Sequence, residues 1–404
     1  MRATTTRPLT GLAVAEVIST TGTEMTAIAL PWFVLVSTGS PARMGAVLAA
    51  EFVGMTVLGL WGGQIAGVLG PRRMMLASDL ARAALVGLIP VLYWVGALSF
   101  PVLLAAGFAV GAFFPAYTSS QRLVLAGIVG DDELRLTRVG GLLGSVNETA
   151  SFIGPALGGV LVVLIGPDKV LLVDAASYLA AFLLVVMLVP RLPSVSSEED
   201  GGGGVVEGLR YLLQERGLRG QVIGLGVSQI SWTAMVATLP VLALHDGGAA
   251  VAGWLLASYG LGSVAGGLIS SRARRTGGHT AAWAMAVIAA STWLLFLPVP
   301  VWALTVAVAL NGVGSGLFYP RFFSALTTST PPALRARVMT SVTIALSAPA
   351  PVGFLGAGYL AQRTGSATPG LVLIAVTATL GAAITIRALT TVPRREIPAT
   401  DSPP

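Results

Sequence analysis

The fold this sequence predicts is an all-α membrane protein: twelve transmembrane helices in two pseudo-symmetric six-helix bundles. Three observations predict it. Of the 404 residues, 54% are hydrophobic and only 10% charged, apolar runs long enough to cross a bilayer recur from end to end, and short motifs of the first half return in the same order in the second. A mean hydropathy of +0.82 is too apolar for a soluble surface to cover. A hydrocarbon core of about 30 Å needs roughly 20 helical residues to cross. A membrane β-barrel would instead alternate apolar and polar residues in short segments, and no such alternation is found.

The apolar runs place spans at 10–36, 44–67, 74–96, 100–127, 139–166 and 169–190, then at 219–244, 249–271, 279–298, 301–328, 338–361 and 367–390. The opening MRATTTRPLT carries two arginines but is followed by no small-residue cleavage site after a short apolar core, so the first helix is expected to be retained. Between the sixth and seventh runs lies PRLPSVSSEEDGGGG, the longest polar and Gly-rich stretch, which reads as a linker. The expected organisation is an N-terminal bundle over 1–190, a cytoplasmic linker over 191–218, and a C-terminal bundle over 219–404 ending in a short cytoplasmic tail.

Charge sets the orientation. With the N-terminus inside, the outer loops hold only Arg43, Lys169 and Arg363, and Arg82 and Arg321 fall within spans; every other basic residue lies in an inner loop, a tail or the linker. That asymmetry predicts both termini in the cytoplasm. It also accounts for the net charge of +6 without a nucleic-acid partner. Lys169 is the sole lysine beside many arginines, and Ala, Gly, Val and Pro are abundant, a composition suited to a GC-rich bacterial genome and hence to a bacterial inner membrane.

The halves echo each other as a duplicated unit should. Gly54 to Gly59 in the second span matches Gly262 to Gly267 in the eighth, Leu134-Arg135 matches Leu334-Arg335, and Phe114-Pro115 matches Tyr319-Pro320. Two such halves imply a cavity between them.

Several strings carry a family resemblance: TGTEMTAIALPWFVLVSTGSP in the first span, SDLARA at Ser78 to Ala83, EGLRYLLQERGLR at Glu207 to Arg219 and PPALRARVMT at Pro331 to Thr340. Together with the two halves and the linker they resemble the major facilitator superfamily, and within it the efflux branch that contains macrolide and enterobactin exporters. The resemblance implies a transporter working by alternating access. After the second span the superfamily carries a loop that latches the cytoplasmic gate. Here GQIAGVLGPRR keeps Gly63, Ala66, Gly70, Arg72 and Arg73 but has Gly67 where an acid belongs. A glycine offers no carboxylate to a neighbouring helix end or to basic groups, so the gate is expected to rest on Asp79 and Arg82 or on packing. In the fifth span GLLGSVNETASFIGPALGG matches the pattern associated with proton-exchanging exporters, with Gly141, Gly154, Pro155, Gly158 and Gly159 in place and Ala150 for a usual glycine. Small residues at this spacing let helices approach closely, and Pro155 allows a bend.

Charge inside the spans marks the functional candidates, because a charge at mid-bilayer costs about 2.5–3.5 kcal/mol and needs a partner, a wet cavity or a bound proton. Glu24, mid-way along the first span beside Thr21 and Thr23, is the leading proton-coupling candidate, followed by Glu51 and Glu148. Asp79 and Arg82, at i and i+3, form an expected ion pair near the cytoplasmic end of the third span. Glu16 and Asp174, near span ends, are expected to be solvated or capping. Arg321 is expected to meet an acid or an anionic substrate group. The aromatics Trp32, Phe33, Phe113, Phe114, Tyr117, Trp232, Trp254, Tyr259, Phe318 and Tyr319 offer an amphipathic pocket, and Trp32, Phe114, Trp232 and Tyr319 are the substrate-contact candidates because of their depth; Asn147 and Asn311 supply amides.

Other chemistries are excluded or unsupported. There is no cysteine, so disulfides and thiolate chemistry are absent. His245 and His279 fall in loops on opposite sides and cannot share a metal. GLGSVAGG, Gly260 to Gly267, lies inside a span with no strand before it, and no phosphate-binding loop exists. No catalytic residue, metal or cofactor is expected, and the chain is not read as an enzyme. The expected partners are a small amphipathic substrate (a drug, secondary metabolite or siderophore), protons and membrane lipid, with the chain acting as a monomer. The alternative is an importer or facilitator of a polar metabolite, disfavoured because Asn147, Gln229 and Asn311 are the main amides in the spans.

Overall fold

The computed structural model describes residues 3–59, 69–130, 133–190, 204–244, 247–272, 278–331 and 334–391. Among these residues every regular element is helical. The helices are α1 (Ala3–Thr38), α2 (Pro41–Gly59), α3 (Pro71–Trp94), α4 (Phe100–Val129), α5 (Glu133–Ile165), α6 (Pro167–Leu188) and α7 (Gly204–Gln214). They continue with α8 (Arg216–Ala243), α9 (Gly248–Arg272), α10 (Gly278–Trp293), α11 (Leu304–Ser329), α12 (Arg335–Ser347), α13 (Ala350–Thr364) and α14 (Thr368–Thr391). Ten stretches among the described residues are long and apolar enough to cross a membrane. In α1 the polar run Thr20 to Glu24 dilutes an otherwise apolar helix of 36 residues, and the apolar part of α5 is Phe152–Ile165.

Local chemistry sets the boundaries. Pro41, Pro71, Pro101 and Pro167 stand at helix starts, where a missing N–H costs nothing. Gly39, Gly96, Gly130, Gly166 and Gly365 turn the chain with positive φ, a region costly for any residue with a Cβ. The eleventh span, expected over 338–361, is one apolar stretch, Arg337–Thr364, whose helix is interrupted by a turn between α12 and α13, because the prolines of Ala348-Pro349-Ala350-Pro351 remove two N–H donors from the ladder. The ninth span, expected over 279–298, covers His279–Phe296; its α-helix ends at Trp293 and a 3-10 turn at Leu294–Phe296 completes it, with a second turn at Val301–Ala303 beyond Pro298 and Pro300.

The linker region also holds more structure than its glycines suggest. In α7, Leu209, Leu212 and Leu213 follow a helical period, and Leu212 is buried. Gly208 lets this helix lie directly on the Arg337 carbonyl and the Ser341 side chain of α12. Glu207 pairs with Arg337, and the Tyr211 hydroxyl donates to Ser329 O at 3.3 Å.

Helix pairing repeats along the chain. In the first half α1 packs on α5 and α6, α2 on α4, and α3 on α4 and α6; in the second α8 packs on α13 and α14, α9 on α11, and α10 on α11 and α14. The two sets meet through α2 with α13 and α5 with α9. Those crossings sit at the end bearing Arg43, Lys169 and Arg363. A methyl on Gly159 would fall 2.7 Å from Ala249 O, and one on Gly358 2.5 Å from Pro41 O, so glycine is what permits the approach.

The apolar core follows the same plan. At the crossed end one large cluster draws on both sets, for example Phe33, Met44 and Val86 with Met235, Leu256 and Phe354. Towards the opposite end, where Arg72, Arg122, Arg272, Arg335 and Arg387 lie, the core forks. Leu12, Met75, Val124 and Val185 form one branch; Leu225, Met285, Phe318 and Val338 form the other. Space opens between the branches at this basic end.

Candidate functional site

A cavity of about 610 Å³ is bounded by α1, α3, α4 and α5. Its inner part is formed by Thr23, Glu24 and Phe114, its flank by Glu16, Arg82 and Tyr117, and it runs towards Arg122 and Leu125 near the basic end. Glu24 stands where α5 presses hardest on α1: Gly154 faces the Glu24 side chain, and a methyl on Gly158 would fall 2.8 Å from Met25 O. The Gly154-Pro155-Gly158-Gly159 run thus packs on α1 through Gly154 and Gly158 and on α9 through Gly159, while a methyl on Gly253 would meet Pro155 O at 2.5 Å. Gly141, on the same helix, lines open space.

Behind the cavity wall lies an ionic cluster. Arg82 Nη2 donates to Asp79 Oδ1 at 3.1 Å, with both side chains buried. The guanidinium is clamped between two rings, its carbon 4.4 Å from the centroid of Tyr117 and 4.4 Å from that of Tyr178, an arrangement that holds a desolvated cation in place. Tyr117 in turn donates to Glu16 Oε2 at 3.1 Å, and Thr20 to Glu16 Oε1 at 3.3 Å. On α6, Asp174 accepts from Thr26 at 2.6 Å and Ser177 at 3.1 Å, and Tyr178 bonds Thr23 at 2.7 Å. Gly22 makes this possible, since any side chain there would overlap Ser177 and Asp174. Glu51 reaches the cluster electrostatically through Asp174.

Glu16 and Asp174 therefore differ from their expected role. Neither is solvated or capping; they are 5% and 0% exposed and join α1, α4 and α6. Helical spacing conceals this, because the partners come from other helices. A legible hint was that both acids share a helical face with hydroxyls, Thr20 with Glu16 and Ser177 with Asp174. The Asp79 and Arg82 pair sits within the first set of helices, enclosed by α4 and α6.

The remaining candidates fall elsewhere. Arg72 donates to Val189 O at 2.8 Å and Val186 O at 3.0 Å, closing the C-terminal end of α6, where free carbonyls and the helix dipole favour a cation. Arg73 is exposed, and Gly70 opens α3 with φ +83°. Gly63, with Ala66 and Gly67, lies outside the described residues, as do the side chains of Asn147 and Glu148. Trp32 packs against the shared apolar core. Arg321 meets no acid among the described residues; it donates to the backbone oxygens of Leu317 at 2.7 Å and Ser270 at 3.4 Å.

The second set of helices holds a different kind of pocket. A cavity of about 280 Å³ is lined by Gln229, Trp232, Tyr259, Asn311 and Tyr319. Trp232 and Tyr259 stack with centroids 4.0 Å apart. Asn311 donates to Ile288 O at 3.2 Å and Ser291 Oγ at 3.1 Å, so its amide nitrogen ties α11 to α10. A further cavity of about 970 Å³ lies between α5 on one side and α9 and α11 on the other, bordered by Gly144, Phe152, Tyr259, Gly267 and Tyr319. Among the described residues, no Asp, Glu, Lys, Arg or His lines either one.

Stacked apolar helices around cavities that include a buried ionic wall are the build of a membrane transporter. Residues 6–403 match the family described as transmembrane secretion effector. The chain belongs to that family, a branch of the major facilitator superfamily. It is 28% identical over 372 residues to the multidrug efflux pump Tap of Mycolicibacterium fortuitum, covering 89% of this chain and 90% of that protein. It is 26% identical over 368 residues to Tap of Mycobacterium tuberculosis (strain ATCC 25618 / H37Rv), covering 87% and 86%. The fold is also that of the nucleoside transporter NupG, with a TM-score of 0.76 at 11% identity over 94% of this chain and 98% of that one. The D-xylose-proton symporter shares it at a TM-score of 0.72, 11% identity, 95% and 98% coverage.

Proposed function

We propose that this chain is a secondary active exporter of a small amphipathic molecule, working by alternating access in a bacterial inner membrane and exchanging substrate for protons. Twelve spans, with α12 and α13 as one, form two six-helix halves over 1–190 and 219–404, joined through 191–218, with both termini in the cytoplasm. The observation that carries this reading is the forked core: the halves share one apolar cluster at the Arg-poor end and separate at the basic end, where the positive-inside rule puts the cytoplasm. That is the geometry of a state that loads substrate from inside.

Direction of transport is supported by the efflux-pump relatives, and coupling by the carboxylates that line the cavity or lie behind its wall, Glu16, Glu24 and Asp79. Uptake of fluorescent amphipathic drugs into everted vesicles tests it, with and without an imposed pH gradient. Accumulation that follows the gradient, and weakens in Glu24→Gln, is expected. Accumulation indifferent to the gradient removes antiport, and uptake of polar metabolites by intact cells would favour the importer.

A further inference from the structure

We propose that Asp79, on α3, is the carboxyl that binds and releases the coupled proton, with Arg82 as its exchangeable counter-ion; this rests on the proton-coupled reading above. Glu16, Asp79 and Asp174 are 5%, 0% and 0% exposed and surround Arg82, at 2% the one buried cation among the described residues. With all three acids ionised, two surplus negative charges would sit in a medium that solvates them poorly. A bound proton relieves part of that excess.

Hydrogen bonding then selects the residue. Each oxygen of Asp174 accepts a hydroxyl hydrogen, from Thr26 and Ser177, and each oxygen of Glu16 accepts one, from Thr20 and Tyr117. Asp79 is different. Its Oδ1 takes Arg82, but among the described residues Oδ2 is buried with no hydrogen-bond partner, and so is Arg82 Nε. A buried carboxylate oxygen lacking a donor is costly, whereas the same oxygen carrying a hydrogen is neutral. The groups facing the pair are Glu16 from α1, Tyr117 from α4, Asp174 and Tyr178 from α6, with Glu51 of α2 in electrostatic reach of Asp174.

The step is a simple protonation. A proton entering through the cavity that Arg82 and Glu16 line forms an O–H bond at Asp79 Oδ2, and the carboxylate charge is cancelled. Arg82, still between its two tyrosines, is then left to Asp174 and Glu16. Release breaks that O–H bond and restores the Asp79–Arg82 pair.

Infrared spectroscopy of the purified full-length protein, labelled with aspartate carrying 13C at the side-chain carboxyl carbon, tests the assignment without needing a substrate. The expected result is a protonated-carboxyl C=O band that comes and goes with pH, carries the isotope shift, disappears in Asp79→Asn and persists in Asp174→Asn. If Asp79→Asn does not fold, Asp79→Glu keeps the charge pair and moves the band to its unlabelled position. A band unchanged in both Asp79 variants, or lost instead in Asp174→Asn, overturns the assignment. Gradient-driven vesicle transport is read separately, so a failed assignment and failed coupling are told apart: the first leaves gradient dependence intact, the second leaves the band.

Discussion

The two halves of the molecule use the same helix pairing but opposite polar chemistry. Where α3, α4 and α6 meet α1, the interior polar groups are ionic: Asp79, Arg82, Glu16 and Asp174. In the second half the corresponding interior is neutral among the described residues, built from Asn311 on Ser291 and Ile288 O, Thr233 on Ala350 O at 3.0 Å and Ser231 on Ile374 O at 2.9 Å. Neutral hydrogen bonds satisfy buried groups at little cost and rigidify the helices they join. Buried ions do not repay their desolvation in stability and persist where they do something else. In the proposed mechanism the moving charge belongs to the first half, and the aromatic, uncharged pocket of Trp232, Tyr259 and Tyr319 takes the neutral body of a substrate.

The largest test of this contrast is Arg82→Met. Removing the one cation strands its carboxylates, with an expected loss of about 3–5 kcal/mol, read as a fall in the melting temperature of detergent-solubilised protein. The matching change in the other half, Asn311→Leu, leaves only neutral acceptors unserved, at about 1–3 kcal/mol, and gradient-driven transport survives in the folded fraction. Equal penalties in the two halves would erase the distinction.

Trp232→Ala sharpens the contrast from the substrate side. Its stack on Tyr259 and exposure to the pocket predict weaker binding of aromatic drugs, by about 0.5–1.5 kcal/mol beyond lost packing area, with the pH dependence of transport unchanged. Dye-binding titrations of the purified variant check it. The smallest effect is expected at Glu207→Gln, because the pair with Arg337 is 49% and 31% exposed. Loss of such a pair costs at most about 1 kcal/mol, and α7 should stay seated through Leu212 and Gly208, as judged by protease resistance.

Much of this architecture was legible in residue order alone. Apolar runs located the helices because a bilayer core demands length and hydrophobicity together, and the GPALGG run announced a close approach because only glycine allows one. What the sequence hides is contact between distant helices. Glu16 and Asp174 look peripheral along their own helices, and nothing in the string near Arg82 reveals that Tyr117 and Tyr178 enclose it. Glu24, by contrast, was singled out by the polar run of its own helix, and it lines the cavity. The α12 and α13 break and the docked α7 were missed for a related reason: hydropathy averages over the two prolines in one case and is swamped by the neighbouring glycines in the other.

The most direct test of the division of labour is a distance. The chain has no native cysteine, so Gly127→Cys on α4 and Ser271→Cys on α9, both near the basic end, accept one spin label each without background. The account predicts that the separation measured by pulsed electron resonance shifts with pH, that Asp79→Asn abolishes the shift, and that Asn311→Leu preserves it. A separation indifferent to pH, or a shift that survives Asp79→Asn and vanishes with Asn311→Leu, would contradict it.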